Sequence, residues 1–166
     1  MNTATAGTTT SDKNLYVPFN SVATIAAKTS DYGLRKSRES LLLSKTGKIN
    51  NGEGKKAQDI LGFDYLVHDD NSQCLKYYVA NSRLMGIMKP EPVPCPCGII
   101  AIKNYKITYV EAIEIFHSLN CGDTFTGIRL SWPLTLEINE PVWHLDITLG
   151  TVIIGADSGK PICISR

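Results

Sequence analysis

The chain has 166 residues, 43% hydrophobic and 20% charged, with a formal charge of +1. That is ordinary globular composition, enough for one core or one core with a smaller appendage. A charge near zero excludes bulk electrostatics as a route to nucleic acid or an anionic membrane. No apolar run approaches the roughly 18 residues that a spanning helix needs.

The first 13 residues, Met1 to Lys13, are small and polar. They lack the basic start and apolar stretch of a secretory leader, so a flexible tail and a cytoplasmic location are expected. Residues 14–88 read as a mixed α/β part. Leu15 to Ala27 fits a strand or a helix, and Leu34 to Leu43 has helical composition. Gly47 to Lys56, with three glycines and paired asparagines, reads as a loop, and Ala57 to Leu61 as a short helix. Two aromatic and β-branched runs, Phe63-Asp-Tyr-Leu-Val-His68 and Cys74-Leu-Lys-Tyr-Tyr-Val-Ala80, flank a polar loop and predict a hairpin over 63–80.

Residues 89–98, Lys89-Pro-Glu-Pro-Val-Pro-Cys-Pro-Cys-Gly98, carry prolines at alternate positions. Each removes a backbone donor and fixes φ, so this segment is a connector that excludes helix and central strand. Residues 98–166 then predict a helix-plus-antiparallel-sheet unit. Gly98 to Lys103 reads as a strand. Thr108 and Glu111 form a capping box, and the helix runs from Tyr109 to about Asn120, ending at Cys121-Gly122. Tyr109, Ala112, Ile113, Ile115, Phe116 and Leu119 share one side of it. Strands follow at Gly127 to Trp132 and at Val142 to Leu149. In the latter, Trp143, Leu145, Ile147 and Leu149 alternate with His144, Asp146 and Thr148. Gly150 to Gly155 and Lys160 to Ile164 close the chain around Asp157-Ser-Gly159, a tight-turn sequence. The fold class is α+β: one amphipathic helix on an antiparallel sheet, preceded by a less regular half.

Three pieces carry a family likeness: Ile107-Thr-Tyr-Val-Glu-Ala-Ile113, Pro141-Val-Trp-His-Leu-Asp-Ile147 and Ile153-Ile-Gly-Ala-Asp-Ser-Gly-Lys160. In order and character they resemble the opening helix, aromatic strand and closing hairpin of PepSY domains, over residues 107–165. The resemblance implies a non-enzymatic regulatory, possible inhibitory, module whose partner is another protein. It brings no catalytic residue. His144, Asp146, Thr148 and Trp143 are the residues expected at such a binding surface.

The chemistry-bearing residues give weaker patterns. Cys74, Cys95, Cys97, Cys121 and Cys163 are odd in number, which with the missing leader predicts reduced thiols rather than a disulfide framework. Cys95 and Cys97, with His117 and Cys121 one helical turn apart, could form a Cys3His zinc site; the plain alternative is buried thiols and an interfacial histidine, with no cofactor. A small enzyme with a pocket between the halves, near His117 and Cys97, is a further alternative. His144 and Asp146 could make an acid–base pair or merely decorate a wet sheet face. The motifs Gly-X-Ser-X-Gly, His-Glu-X-X-His and the Walker loop are absent. Arg35, Lys36, Arg38, Lys45, Lys48, Lys55 and Lys56 face only Glu39 and Glu53, a basic stretch that reads first as solvated surface.

Overall fold

The computed structural model describes residues 16–17, 41–68, 72–81 and 87–165. The expected tail over 1–13 and most of the stretch before Leu41 lie outside them.

Among the described residues, ten strands form one antiparallel sheet: β1 (Tyr16–Val17), β2 (Leu41–Ile49), β3 (Ile60–His68), β4 (Cys74–Ala80), β5 (Ile87–Met88), β6 (Glu91–Val93), β7 (Gly127–Ser131), β8 (Val142–Ile147), β9 (Gly150–Gly155) and β10 (Pro161–Ser165). Their order is β1-β5-β4-β3-β2-β7-β8-β9-β10, with β6 also paired to β4. The fold is mixed α+β and mostly sheet. The proline segment does not divide it, because β2 from one half pairs with β7 from the other.

Alternation decides the sheet's two faces. Read across the register, Tyr77, Tyr65, Lys45, Leu130, Trp143 and Ile154 form one continuous row, and all are buried. On the opposite face the parallel row is Tyr78, Asp64, Thr46, Arg129, His144, Ile153 and Ile162.

The helix α1 (Tyr109–Ser118) lies on the first of these faces. The capping box holds: the Glu111 amide donates to Thr108 Oγ1 at 3.3 Å and the Thr108 amide to Glu111 Oε2 at 2.7 Å. Ala112, Ile113 and Phe116 are buried, and Phe116 meets the Phe125 ring edge-to-face. The entry to the helix is tied down twice. Trp143 Nε1 donates to the Ile107 carbonyl at 2.8 Å, and the Ile107 amide donates to Ala156 O at 2.7 Å.

Several local expectations give way to sheet. Leu41 to Leu43 are strand, not helix, and Gly47 to Ile49 continue β2 instead of opening a loop. Gly47 opposes Phe63, and a Cβ there would stand 2.4 Å from Ile128 Cγ2; the missing side chain is what lets two core residues meet over the strand. Ala57–Asp59 is a single 3-10 turn, and β3 starts at Ile60. Gly98 to Lys103 makes only isolated bridges, since Ile100 bonds Trp132 and Ile102 bonds Leu42 as the segment crosses between strands. Thr148 and Leu149 form the β8–β9 turn instead of extending β8. Gly155 is required by a carboxylate. Glu140 Oε1 accepts the Asp157 and Ser158 amides at 2.9 and 2.8 Å, and a Cβ on Gly155 would sit 2.5 Å from that oxygen.

The cysteines correct the expectation of reduced thiols. Cys74 is bonded to Cys95 and Cys121 to Cys163, while Cys97 is free and exposed. Sequence spacing hides both pairings. β6 lies beside β4 with Val93 opposite Cys74, which delivers Cys95 two residues later. Cys121 follows α1 and reaches β10.

Candidate functional site

Three places gather chemistry-bearing side chains. The first is the β3–β4–β6 corner. His68 ends β3 directly opposite Cys74, which begins β4, and the disulfide brings Cys95 to the same point. Donor atoms of His68, Cys74 and Cys95 lie within 4.8 Å of one another. Cys74 is buried, His68 half-buried and Cys95 exposed.

This geometry does not assemble the Cys95, Cys97, His117 and Cys121 set read from the sequence. Cys95 is held on β4 and Cys121 on β10, with five strands between these two in the sheet. His117 is exposed, and its Nε2 meets the Lys55 carbonyl oxygen. The expected helical i, i+4 pair does not form, because α1 ends at Ser118 and Cys121, three residues beyond it, is bonded to Cys163.

The second place is the middle of the helix-covered face. Lys45 is only 3% exposed. Its Nζ lies 4.5 Å from the ring centre of Phe63, 5.2 Å from Trp143, 5.4 Å from Tyr105 and 5.6 Å from Tyr65. Ring quadrupoles attract the ammonium, but the lost hydration is larger, and burial lowers its pKa to about 7. The basic stretch read from the sequence therefore loses Lys45 to the core. Simple alternation does not show this, because a bulge between Leu42 and Ser44 shifts the register: Leu42, Lys45 and Gly47 face the core opposite Val67, Tyr65 and Phe63, while Leu41 falls opposite His68.

The third place is the opposite face around His144. Its Nε2 lies 3.3 Å from Ser131 Oγ, and both residues are buried. Burial first, then the Arg129 charge, lowers the His144 pKa to about 4 against the opposing pull of Asp146. A serine beside a neutral histidine has the outline of a nucleophile and base. However, Ser131 is 5% exposed, and Asp146 Oδ1 is taken by the Thr151 hydroxyl at 3.0 Å. The pair satisfies buried polar groups and has no reach to a substrate. Of the four residues expected at a binding surface, Trp143 is fully buried and unavailable to a partner. His144 is nearly so, Asp146 is half-buried, and Thr148 is exposed.

Two clefts stand out among the described residues, and His117, Cys97 and Cys121 line neither of them. One of about 510 Å³ lies between α1 and the start of β3, lined by Ala57, Ile60, Leu61, Asn81, Tyr109 and Val110 among others. The other, of about 240 Å³, lies over Ser44, Thr46, Asp64 and Lys76. Among the described residues, β10 pairs with β9 alone, and Ile162 on it is 55% exposed. No described helix is long and apolar enough to cross a membrane.

No family model, curated protein or solved structure matches this chain.

Proposed function

We propose that this chain is a non-enzymatic, regulatory protein-binding module of an oxidising compartment, and that it takes an extended segment of a partner protein against the outer edge of β10. The observation that carries the reading is that edge. An edge strand offers a row of unpaired amides and carbonyls, which natural sheets blunt with lysines, bulges or covering elements. Ile162 to Ser165 carry no charge, and among the described residues no strand pairs with their outer side; only Pro161, at the start of β10, lacks an amide to offer. The Cys121–Cys163 bond anchors it to the end of α1, so little ordering entropy would be lost when a partner strand adds to it.

Two further features support the reading. The PepSY-like order of helix, aromatic strand and closing hairpin fits a module that restrains another protein. The disulfides are of a kind that persists outside the reducing cytosol, which favours an oxidising compartment over the cytoplasmic location suggested by the N-terminus.

A photo-crosslinking amino acid at Ile162, introduced into the oxidised chain and used in extracts of the native host, tests the proposal. The crosslinked partner, once identified, is then titrated against wild type and Ile162→Lys. Edge capture requires a crosslink from position 162 and a loss of roughly tenfold or more in affinity for the variant, because an edge lysine opposes strand addition. No crosslink from position 162, or equal affinity for both proteins, would refute it.

A further inference from the structure

The β3–β4–β6 corner holds a third ligand that a purely structural disulfide does not need. His68 and Cys74 are fixed opposite one another by strand pairing, and Cys95 arrives on an exposed segment after β6. The three donor atoms lie within 4.8 Å of one another. A tetrahedral zinc ion, with Zn–S of about 2.3 Å and Zn–N of about 2.0 Å, spaces its ligand atoms roughly 3.3–3.8 Å apart. To reach that spacing the Cys74 and Cys95 sulfurs, 2.07 Å apart in the disulfide, must separate once they are unlinked, and Cys95 on its exposed segment has side-chain rotation available for this.

We propose that the Cys74–Cys95 disulfide and a zinc ion are alternative occupants of this corner. On reduction, the Cys74 and Cys95 sulfurs and one ring nitrogen of His68 bind Zn2+, with water in the fourth position. The exchange balances. A dithiol reductant gives two electrons and two protons to the S–S bond and becomes a disulfide itself. Zinc then displaces the two thiol protons to bind both thiolates. In reverse, an oxidising disulfide withdraws two electrons from the thiolates and the metal leaves. The site is thus a redox-gated metal site, independent of the β10 edge. The other disulfide, Cys121–Cys163, has no histidine or carboxylate placed to complete such a set among the described residues.

The test uses the full chain, oxidised or reduced with a water-soluble phosphine, which takes oxygen from water as it opens both disulfides. Zinc is titrated in competition with a chromogenic chelator, and Co2+ serves as a visible reporter of coordination. The reduced chain is expected to bind about one zinc with tetrahedral, thiolate-rich cobalt bands, and the oxidised chain none. His68→Asn lowers the affinity roughly tenfold or more and shifts the cobalt bands, Cys74→Ser abolishes binding, and Cys163→Ser retains it. The inference is overturned if the reduced chain takes up no zinc, whether or not it stays folded. It is equally overturned if His68→Asn, with an unchanged circular dichroism spectrum, binds as tightly as wild type.

Discussion

Lys45 Nζ lies 5.2 Å from the centre of the Trp143 indole, although β7 runs between the strands that carry them. The contact reaches across because both side chains point under the helix, where Phe63 and Tyr105 complete the enclosure. A cation in the centre of a core is a strained choice energetically, and it makes the most specific stability behaviour of this molecule.

The folded pKa of Lys45, about 7, lies below its ordinary 10.5. Between these values the unfolded chain holds more protons, so stability rises with pH across that window. Lys45→Met fills the same space without charge. Its stability relative to wild type is expected to be greatest below pH 7 and to shrink by about 3–5 kcal/mol on approaching pH 10.5. Urea unfolding of both proteins at several pH values measures this. Tyr65 and Tyr105, whose pKa values burial raises, favour folding less above pH 10, but they cancel in the difference. A pH-independent difference would remove Lys45 from the core.

His144 works at the acid end. Its folded pKa of about 4 lies below the ordinary 6.5, so the native state holds it neutral while the unfolded chain protonates first. Its contribution is present above pH 6.5 and is lost as the pH falls toward 4. His144→Gln, which keeps a polar group near Ser131, is expected to flatten the acid limb by about 2–3 kcal/mol between these limits. Guanidinium unfolding at pH 7 and pH 4.5 reads it out. A wild-type acid limb no steeper than the variant's would contradict the buried Ser131–His144 contact.

The two disulfides should differ in worth. Loop-closure entropy assigns about 4 kcal/mol to Cys121–Cys163, separated by 42 residues, and about 3 kcal/mol to Cys74–Cys95, separated by 21. Double serine variants, unfolded in urea under oxidising conditions, are expected to follow that order. The reverse order would mean that native contacts at the His68 corner outweigh chain entropy.

How far these features could be read from sequence depends on whether their cause is local. The start of α1 was legible because the Thr108 and Glu111 cap lies within four residues, and the strand from Val142 to Ile147 because its apolar residues recur with a period of two, although burial does not follow that period and Val142 to Leu145 are all buried, His144 included. The β9 and β10 pair was legible from the tight-turn sequence Asp157-Ser-Gly159 between them. The cysteine pairs were not, since β6 and the end of α1 deliver them from distant positions. Lys45 was hidden by its chemistry: a lysine reads as surface until the register puts it between Tyr65 and Leu130. Trp143 was expected at a binding surface, and its complete burial follows from the start of α1 and Tyr105 packing against it.

The proposed oxidising compartment rests on both disulfides, and the proposed redox-gated corner on Cys74–Cys95. Proteolysis of the alkylated, unreduced chain followed by mass spectrometry tests them directly. The account requires linked peptides joining Cys74 to Cys95 and Cys121 to Cys163, with the alkyl label on Cys97 alone. A Cys95–Cys97 link, or label on all five cysteines of protein recovered from its native host, would contradict it.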